Sequence, residues 1–331
     1  MSLHKYLNTQ TQKVLLYRHL LAKISRIQKN LKTEQSGFTL IELLVAMVIL
    51  TIVVGMTGTG LVFVMSKNTS SDGEITQQTN LRRALDFIGD EIKSASVVTT
   101  SSTDSKWPAW ALTLSPTLSS STPSTALYLE IPTPVSLEPA DITALLASPS
   151  TIKIPNHGLA NTNAVKISGN NLPSDTTQTI NTTSTYYVSS VSATTPNTFQ
   201  LITGSGSTVS FTSTPQNFAI RRLVLYYPGY IANSGWKGEQ VLYRATGVCN
   251  STSTTANPSN CLVMVDSLVA QPTTPSASTA PFFPSIVAGL PPTISLNGKL
   301  CNPPTPENNC ATTENNKVSV SLTAISRATL Q

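Results

Sequence analysis

A single carboxylate, Glu42, stands in an otherwise uncharged run from Phe38 to Met65. In hydrocarbon such a group costs at least ~2.5 kcal/mol and is normally paired and functional. Other residues that could do chemistry are few. Beyond residue 37 the one histidine is His157, in a Pro-Asn-His-Gly turn. A Ser-His-Asp hydrolase would have to use it, yet no Gly-x-Ser-x-Gly elbow occurs. The expectation is a turn histidine that hydrogen-bonds its own loop. No phosphate loop, dinucleotide fingerprint, HExxH box or Asp-x-Asp-x-Asp-Gly calcium pattern appears. Hence neither catalyst, metal nor cofactor is expected. The four cysteines, Cys249, Cys261, Cys301 and Cys310, lack Cys-x-x-Cys spacing and have no neighbouring histidine, which argues against zinc.

Gly37-Phe38-Thr39-Leu40-Ile41-Glu42, followed by an unbroken apolar stretch, resembles the class III signal of type IV prepilins and type II secretion pseudopilins. The resemblance implies that a membrane prepilin peptidase cuts between Gly37 and Phe38 and methylates the new amine on Phe38. Glu42 then becomes the fifth residue of the mature chain. Amine and carboxylate, one helical turn apart in an apolar setting, both need partners. Pairing of one subunit's Glu42 with its neighbour's Phe38 amine would set axial register in a filament. The implied partners are the peptidase, other pilins or pseudopilins through the N-terminal helix, and an inner-membrane assembly platform.

The elements around this box follow in order. Residues 1–37 carry seven Lys/Arg against one acid, Glu34. Val14, Leu15, Leu16, Leu20, Leu21, Ile24, Ile27 and Leu31 fall at helical spacing opposite those bases, as in a basic amphipathic helix on a membrane surface. The leader is long for the family that the box resembles. Residues 38–65, as a helix, would reach roughly 42 Å against a hydrocarbon layer of about 30 Å. Gly55, Gly58 and Gly60 could permit local melting or serve as small contacts between helices. Residues 66–97 read as the amphipathic continuation. Leu81, Leu85, Ile88 and Ile92 lie on one face, and Arg82, Arg83, Asp86, Asp90, Glu91 and Lys93 mostly elsewhere. Asp72-Gly73 is a possible bend.

Charge supports this topology. The chain's net charge of +5 comes from the leader; without it fourteen basic residues face fifteen acidic ones, a net of −1. Positive residues beside an apolar span stay cytoplasmic, so no nucleic-acid partner is expected. The expected location is a bacterial inner membrane, single-pass, with the leader cytoplasmic and the head periplasmic, and later the filament or cell surface. An even number of late cysteines fits disulfides in an oxidising compartment. Cys249 with Cys261 and Cys301 with Cys310 would each close a local loop, with the other two connectivities open.

From residue 98 to 331 the chain reads as a β-rich head. Strands are expected at 126–131, 164–168, 186–191, 198–202, 218–227, 240–245, 262–265 and 317–325, a short helix at 138–147, and loops at 271–284 and 301–317. Trp107, Trp110 and Trp236 could cap the core or offer stacking surface. Residues 150–213, with Asn156-His157-Gly158-Leu159, Ala164-Val165-Lys166-Ile167-Ser168-Gly169 and Asn197-Thr198-Phe199-Gln200-Leu201, resemble a small β-module of phage tail and large surface proteins, here an insertion in the head. The flanking strands look like the larger minor pilins and pseudopilins of the W and J types, among them the hormogonium polysaccharide secretion pseudopilins. The expectation is thus an α+β, pilin-like fold: a long N-terminal helix, transmembrane then amphipathic, packed on an antiparallel head. Removing 37 of 331 residues leaves 294, and so bulky a subunit suggests a minor or initiating role at low copy number. Other expectations are a tip adhesin whose insert binds a glycan or surface, or a signal-anchored envelope protein unrelated to pili.

Overall fold

The computed structural model describes residues 39–100, 125–135, 138, 141, 144–170, 172, 180–191, 194, 197–229, 240–247, 260–270, 272, 276–287, 290–299 and 317–324. The chain forms two compact units, residues up to Ser66 and residues from Lys67 on. One helix, α1 (Leu40–Ser94), contributes to both. It runs without interruption through Asp72-Gly73, where a bend was conceivable. A helical glycine costs up to ~1 kcal/mol. Here the Thr76 hydroxyl donates to the Asp72 carbonyl and Gln78 to the Glu74 carboxylate, bracketing the glycine.

In the second unit α1 becomes one-sided. Among the described side chains Gln77 is its first buried residue, and Leu81, Ala84, Leu85, Ile88 and Ile92 follow at helical spacing, almost wholly covered. Each large side chain so buried contributes ~1.5–3 kcal/mol. Arg82, Arg83, Asp86, Asp90 and Lys93 are exposed, as the spacing requires; Glu91 is buried. Gly298 lets the sheet approach. A Cβ there would lie 2.9 Å from the Gln77 amide nitrogen and 3.0 Å from Leu81. The helix stops at Ser94, and the Ser96 amide donates to the Glu130 carbonyl, turning the chain into a strand.

The described residues hold twelve strands in one antiparallel sheet. They are β1 (Val97–Thr99), β2 (Leu127–Pro134), β3 (Ile152–Lys153), β4 (Ala164–Asn170), β5 (Tyr186–Ser189), β6 (Thr198–Ile202), β7 (Gln216–Gly229), β8 (Gln240–Ala245), β9 (Cys261–Leu268), β10 (Phe282–Ser285), β11 (Thr293–Lys299) and β12 (Lys317–Thr323). Strand β7 organises the rest. Along one side it pairs with β2; along the other it pairs first with β4 and then with β8. Where β4 and β8 meet end to end, Asn163 bridges Gly247, and its side-chain amide donates to Thr246 and Asn260.

Three apolar clusters result, and β7 contributes to each. Val224 and Tyr226 join α1, β2, β11 and β12. Leu223, Leu225 and Tyr227 form the opposite face with Tyr128 and Tyr243. Phe218 and Ile220 join Ile152, Val165, Val188, Phe199 and Phe211 in a cluster drawn mostly from residues 145–211. The proposed module therefore has a cluster largely of its own, yet draws three of its residues, Leu145, Phe218 and Ile220, from outside it and shares a strand pairing with the head.

Several expectations need correction. Residues 282–285, the end of the expected 271–284 loop, form strand β10, paired with β11. Its Pro284 is tolerated because β10 pairs on one side alone among the described residues. Strands β1, β3 and β11 were not foreseen; β11 does alternate Ile294 and Leu296 with Ser295 and Asn297, a pattern hidden behind Pro291-Pro292. Of the expected short helix, Asp141, Ala144 and Leu145 are helical. The leader, the tryptophans and the 301–316 loop lie outside the described residues.

Replacing Leu85 by Ala should cost about 2–5 kcal/mol, the range for an aliphatic truncation in a packed core. Arg82→Ala should stay within about 0.5 kcal/mol. Urea unfolding of the full chain in detergent, followed at the head, checks both.

Candidate functional site

Gly37 and Phe38 lie just before the first described residue, Thr39, which caps α1. Its carbonyl accepts from the Glu42 amide at 3.0 Å and the Leu43 amide at 3.2 Å. The Glu42 side chain folds back: Oε2 accepts from the Thr39 amide at 3.0 Å and the Thr39 hydroxyl at 2.9 Å. This is the glutamate half of a capping box: the carboxylate three residues on satisfies the Thr39 amide, while the Thr39 hydroxyl donates to that carboxylate instead of accepting from the Glu42 amide. It also aims the carboxylate at the chain end where residue 38 begins. Among the described residues, Oε1 accepts no hydrogen bond.

Beyond the cap, Leu40–Met65 has a mean hydropathy of 2.5 and is exposed along its whole length, long and apolar enough to cross a membrane. Its polar groups are internally satisfied, as hydrocarbon demands. The hydroxyls of Thr51, Thr57 and Thr59 donate to carbonyls one turn back, those of Met47, Val53 and Met56. Gly55, Gly58 and Gly60 are helical, and a Cβ at any of them would meet nothing within 4 Å.

Among the described residues of the head, two buried acids, Glu91 and Glu130, are each clasped by two bases and a tyrosine, while a third, Asp141, pairs with Lys153. Glu91 on α1 accepts from Arg244 at 2.6 and 3.2 Å, from Arg222 at 3.3 Å and from the Tyr226 hydroxyl. Glu130 on β2 accepts from Lys166 at 2.7 Å, Arg221 at 3.0 Å and Tyr128 at 3.0 Å. Burial alone would push the Glu130 carboxyl up, but the bonds from Lys166, Arg221 and Tyr128 outweigh it and hold it below its ordinary 4.5. Tyr128 and Tyr226 are driven far up, first by burial and then by the adjacent carboxylates. Glu91 and Glu130, with their bases and tyrosines, form two partnered sets. They fasten α1 and residue 166 to the sheet. Sequence reasoning missed them, although Glu130 in an apolar strand and Arg221-Arg222 in mid-strand were visible signals.

Of the remaining candidates, His157 and Cys261 lie among the described residues. His157 is buried; its Nδ1 accepts from the Leu159 amide at 2.8 Å and its ring meets Phe199 edge-on at 5.0 Å. Cys261 is disulfide-bonded and buried; Cys249, Cys301 and Cys310 lie outside the described residues. Among the described residues no group of three or more His, Cys, Asp or Glu could hold a metal ion.

The sequence pattern of the prokaryotic N-terminal methylation motif matches residues 32–58, enclosing Gly37, Phe38 and Glu42. Among curated proteins and among solved structures, none matches the chain. With an apolar N-terminal helix and an antiparallel head, this match supports the type IV prepilin and pseudopilin class for the chain. The class implies processing by a prepilin peptidase, association with a membrane and assembly with other pilins. It is a structural class, not one known for catalysis.

Glu130→Leu should destabilise the head by about 3–5 kcal/mol, because Lys166 and Arg221 are left facing one another without their carboxylate. The pH dependence has a defined sign. With its folded value below 4.5, Glu130 contributes stability fully present above about pH 4.5 and lost as pH falls through the lower folded value. Acid unfolding monitored by circular dichroism should show a shallower slope in Glu130→Gln than in the parent.

Proposed function

We propose that this chain is a minor subunit of a type IV pilus or type II-like secretion filament, built in through its N-terminal helix after cleavage between Gly37 and Phe38 and methylation of Phe38. The observation that carries the reading is the coincidence of the methylation motif with an exposed apolar helix whose one charge, Glu42, is aimed at its own start. With Oε2 committed to Thr39, Oε1 remains for the neighbouring subunit's Phe38 amine. A buried charge pair of this kind fixes register more than it adds affinity. The leader stays cytoplasmic, and the head, in the periplasm and later on the filament, closes its loops with disulfides, Cys249 to Cys261 and Cys301 to Cys310. Residues 150–213 form an insertion in that head, which supports a tip-binding role as a second reading, since they carry a separate apolar cluster. Deleting them would strip Lys166 from Glu130, so surface substitutions are the sounder probe of binding.

Mass spectrometry of the natural protein should find N-methylated phenylalanine, residue 38, at its start; a retained residue 1–37 segment defeats the proposal. Glu42→Ala should insert and be processed normally but enter sheared filaments at least about tenfold less, the factor for ~1.4 kcal/mol. Counted against the principal pilin in those filaments, the parent should be a small fraction; near-equal amounts would reject the minor role.

A further inference from the structure

Strand β9 is covered on one side by β8, but β11 meets it at Leu268 alone. Along its other margin lies a cavity of about 430 Å³, lined by Asn80, Arg83, Ala84 and Phe87 of α1 and by residues 263–266. These helix positions recur every three or four residues, so they form one stripe. The floor is apolar: Phe87 remains 45% exposed despite its size, and Met264 is partly open. Phe87 lies over the Arg244 guanidinium at 5.6 Å, which fixes its ring. The rim carries one base, Arg83, and one acid, Asp266, with Arg82 and Asp86 exposed on the adjoining helix surface. Asp266 accepts from the Ser267 hydroxyl, whereas Arg83 and the adjacent Arg82 form no ion pair and no hydrogen bond among the described residues.

We propose that this groove docks the acidic, membrane-proximal stretch of a neighbouring subunit's N-terminal helix. The chain itself shows what such a segment looks like. Before α1 enters the head at Gln77 it presents Asp72 and Glu74, with Ile75 63% exposed beside them. Two carboxylates suit Arg82 and Arg83, and an isoleucine suits the Phe87–Met264 floor. Groove and acidic stretch lie at different heights on one helix, about nine residues or ~14 Å apart. A contact of one kind of patch with a different patch is heterologous and, where its rotation closes no ring, propagates along an axis. The inference rests on the filament reading above and specifies where, beyond the anchor helices, subunits meet.

The test uses the full chain in its native membrane, with p-benzoylphenylalanine at position 87 as a photocrosslinker. Adducts should carry a peptide from just after the apolar anchor of a pilin-class chain, this one included, bearing at least two carboxylates. Arg83→Glu should lower the adduct yield about fivefold or more, as when a surface pair turns from attraction to repulsion. Arg83 is exposed, so the head's unfolding midpoint should not move. Adducts with lipid alone, a peptide from elsewhere, or a yield indifferent to Arg83→Glu would overturn the docking site. The N-terminus is read on the same sample: a processed chain without adducts defeats this site alone, while a retained leader defeats the filament reading.

Discussion

One helix has to satisfy two solvents. Over Leu40–Met65 every side chain must tolerate hydrocarbon, so the helix is apolar all round and carries its hydroxyls bonded to its own carbonyls. From Gln77 onward the same backbone must bury one stripe and wet the other. The change takes place within some ten residues of polar helix. Both requirements are properties of side-chain placement at a 3.6-residue period, which is why a single regular element meets them. The capping box at Thr39 matters for the same reason. A helix that begins in or near lipid cannot leave its first amides unsatisfied, and the Glu42 carboxylate that serves assembly in the proposed reading also supplies that cap.

The head repeats the theme of a shared element. Strand β7 runs fourteen residues and gives each of three apolar clusters part of its lining. Its arginines, Arg221 and Arg222, are adjacent and so point to opposite faces. One reaches Glu130 and the other Glu91. Glu130 and Glu91 thus sit on either side of the same strand. Loss of either would leave bases without a counter-charge in the interior, a heavier penalty than the pair's own net contribution.

Much of this was legible in the chain. Leu81, Leu85, Ile88 and Ile92 announced the docked face by period alone, and 198–202 and 240–245 are strands at the limits their residue types suggest. Composition could not reveal the partner of a buried charge, because Glu91 and Arg244 are far apart in sequence and meet only when α1 lies on β8. Strand β10 was obscured by its proline, and β11 by the prolines before it, since local turn chemistry outweighs a short alternation when read without neighbours. Glu42 stood out because a lone acid in an apolar run violates the local rule, whereas Glu91 hid among the charges of an amphipathic helix.

Lys166 has a consequence for how this chain can be inherited in pieces. A β-module bounded by polar turns looks like a cassette that recombination could swap for another of equal length. Yet strand β4 within it delivers the ammonium that neutralises an acid encoded more than thirty codons upstream. An exchange that brought a neutral residue to that place would compromise the recipient wherever Glu130 persists. Lineages that trade this segment are therefore bound to trade a base and an acid together, or to lose both.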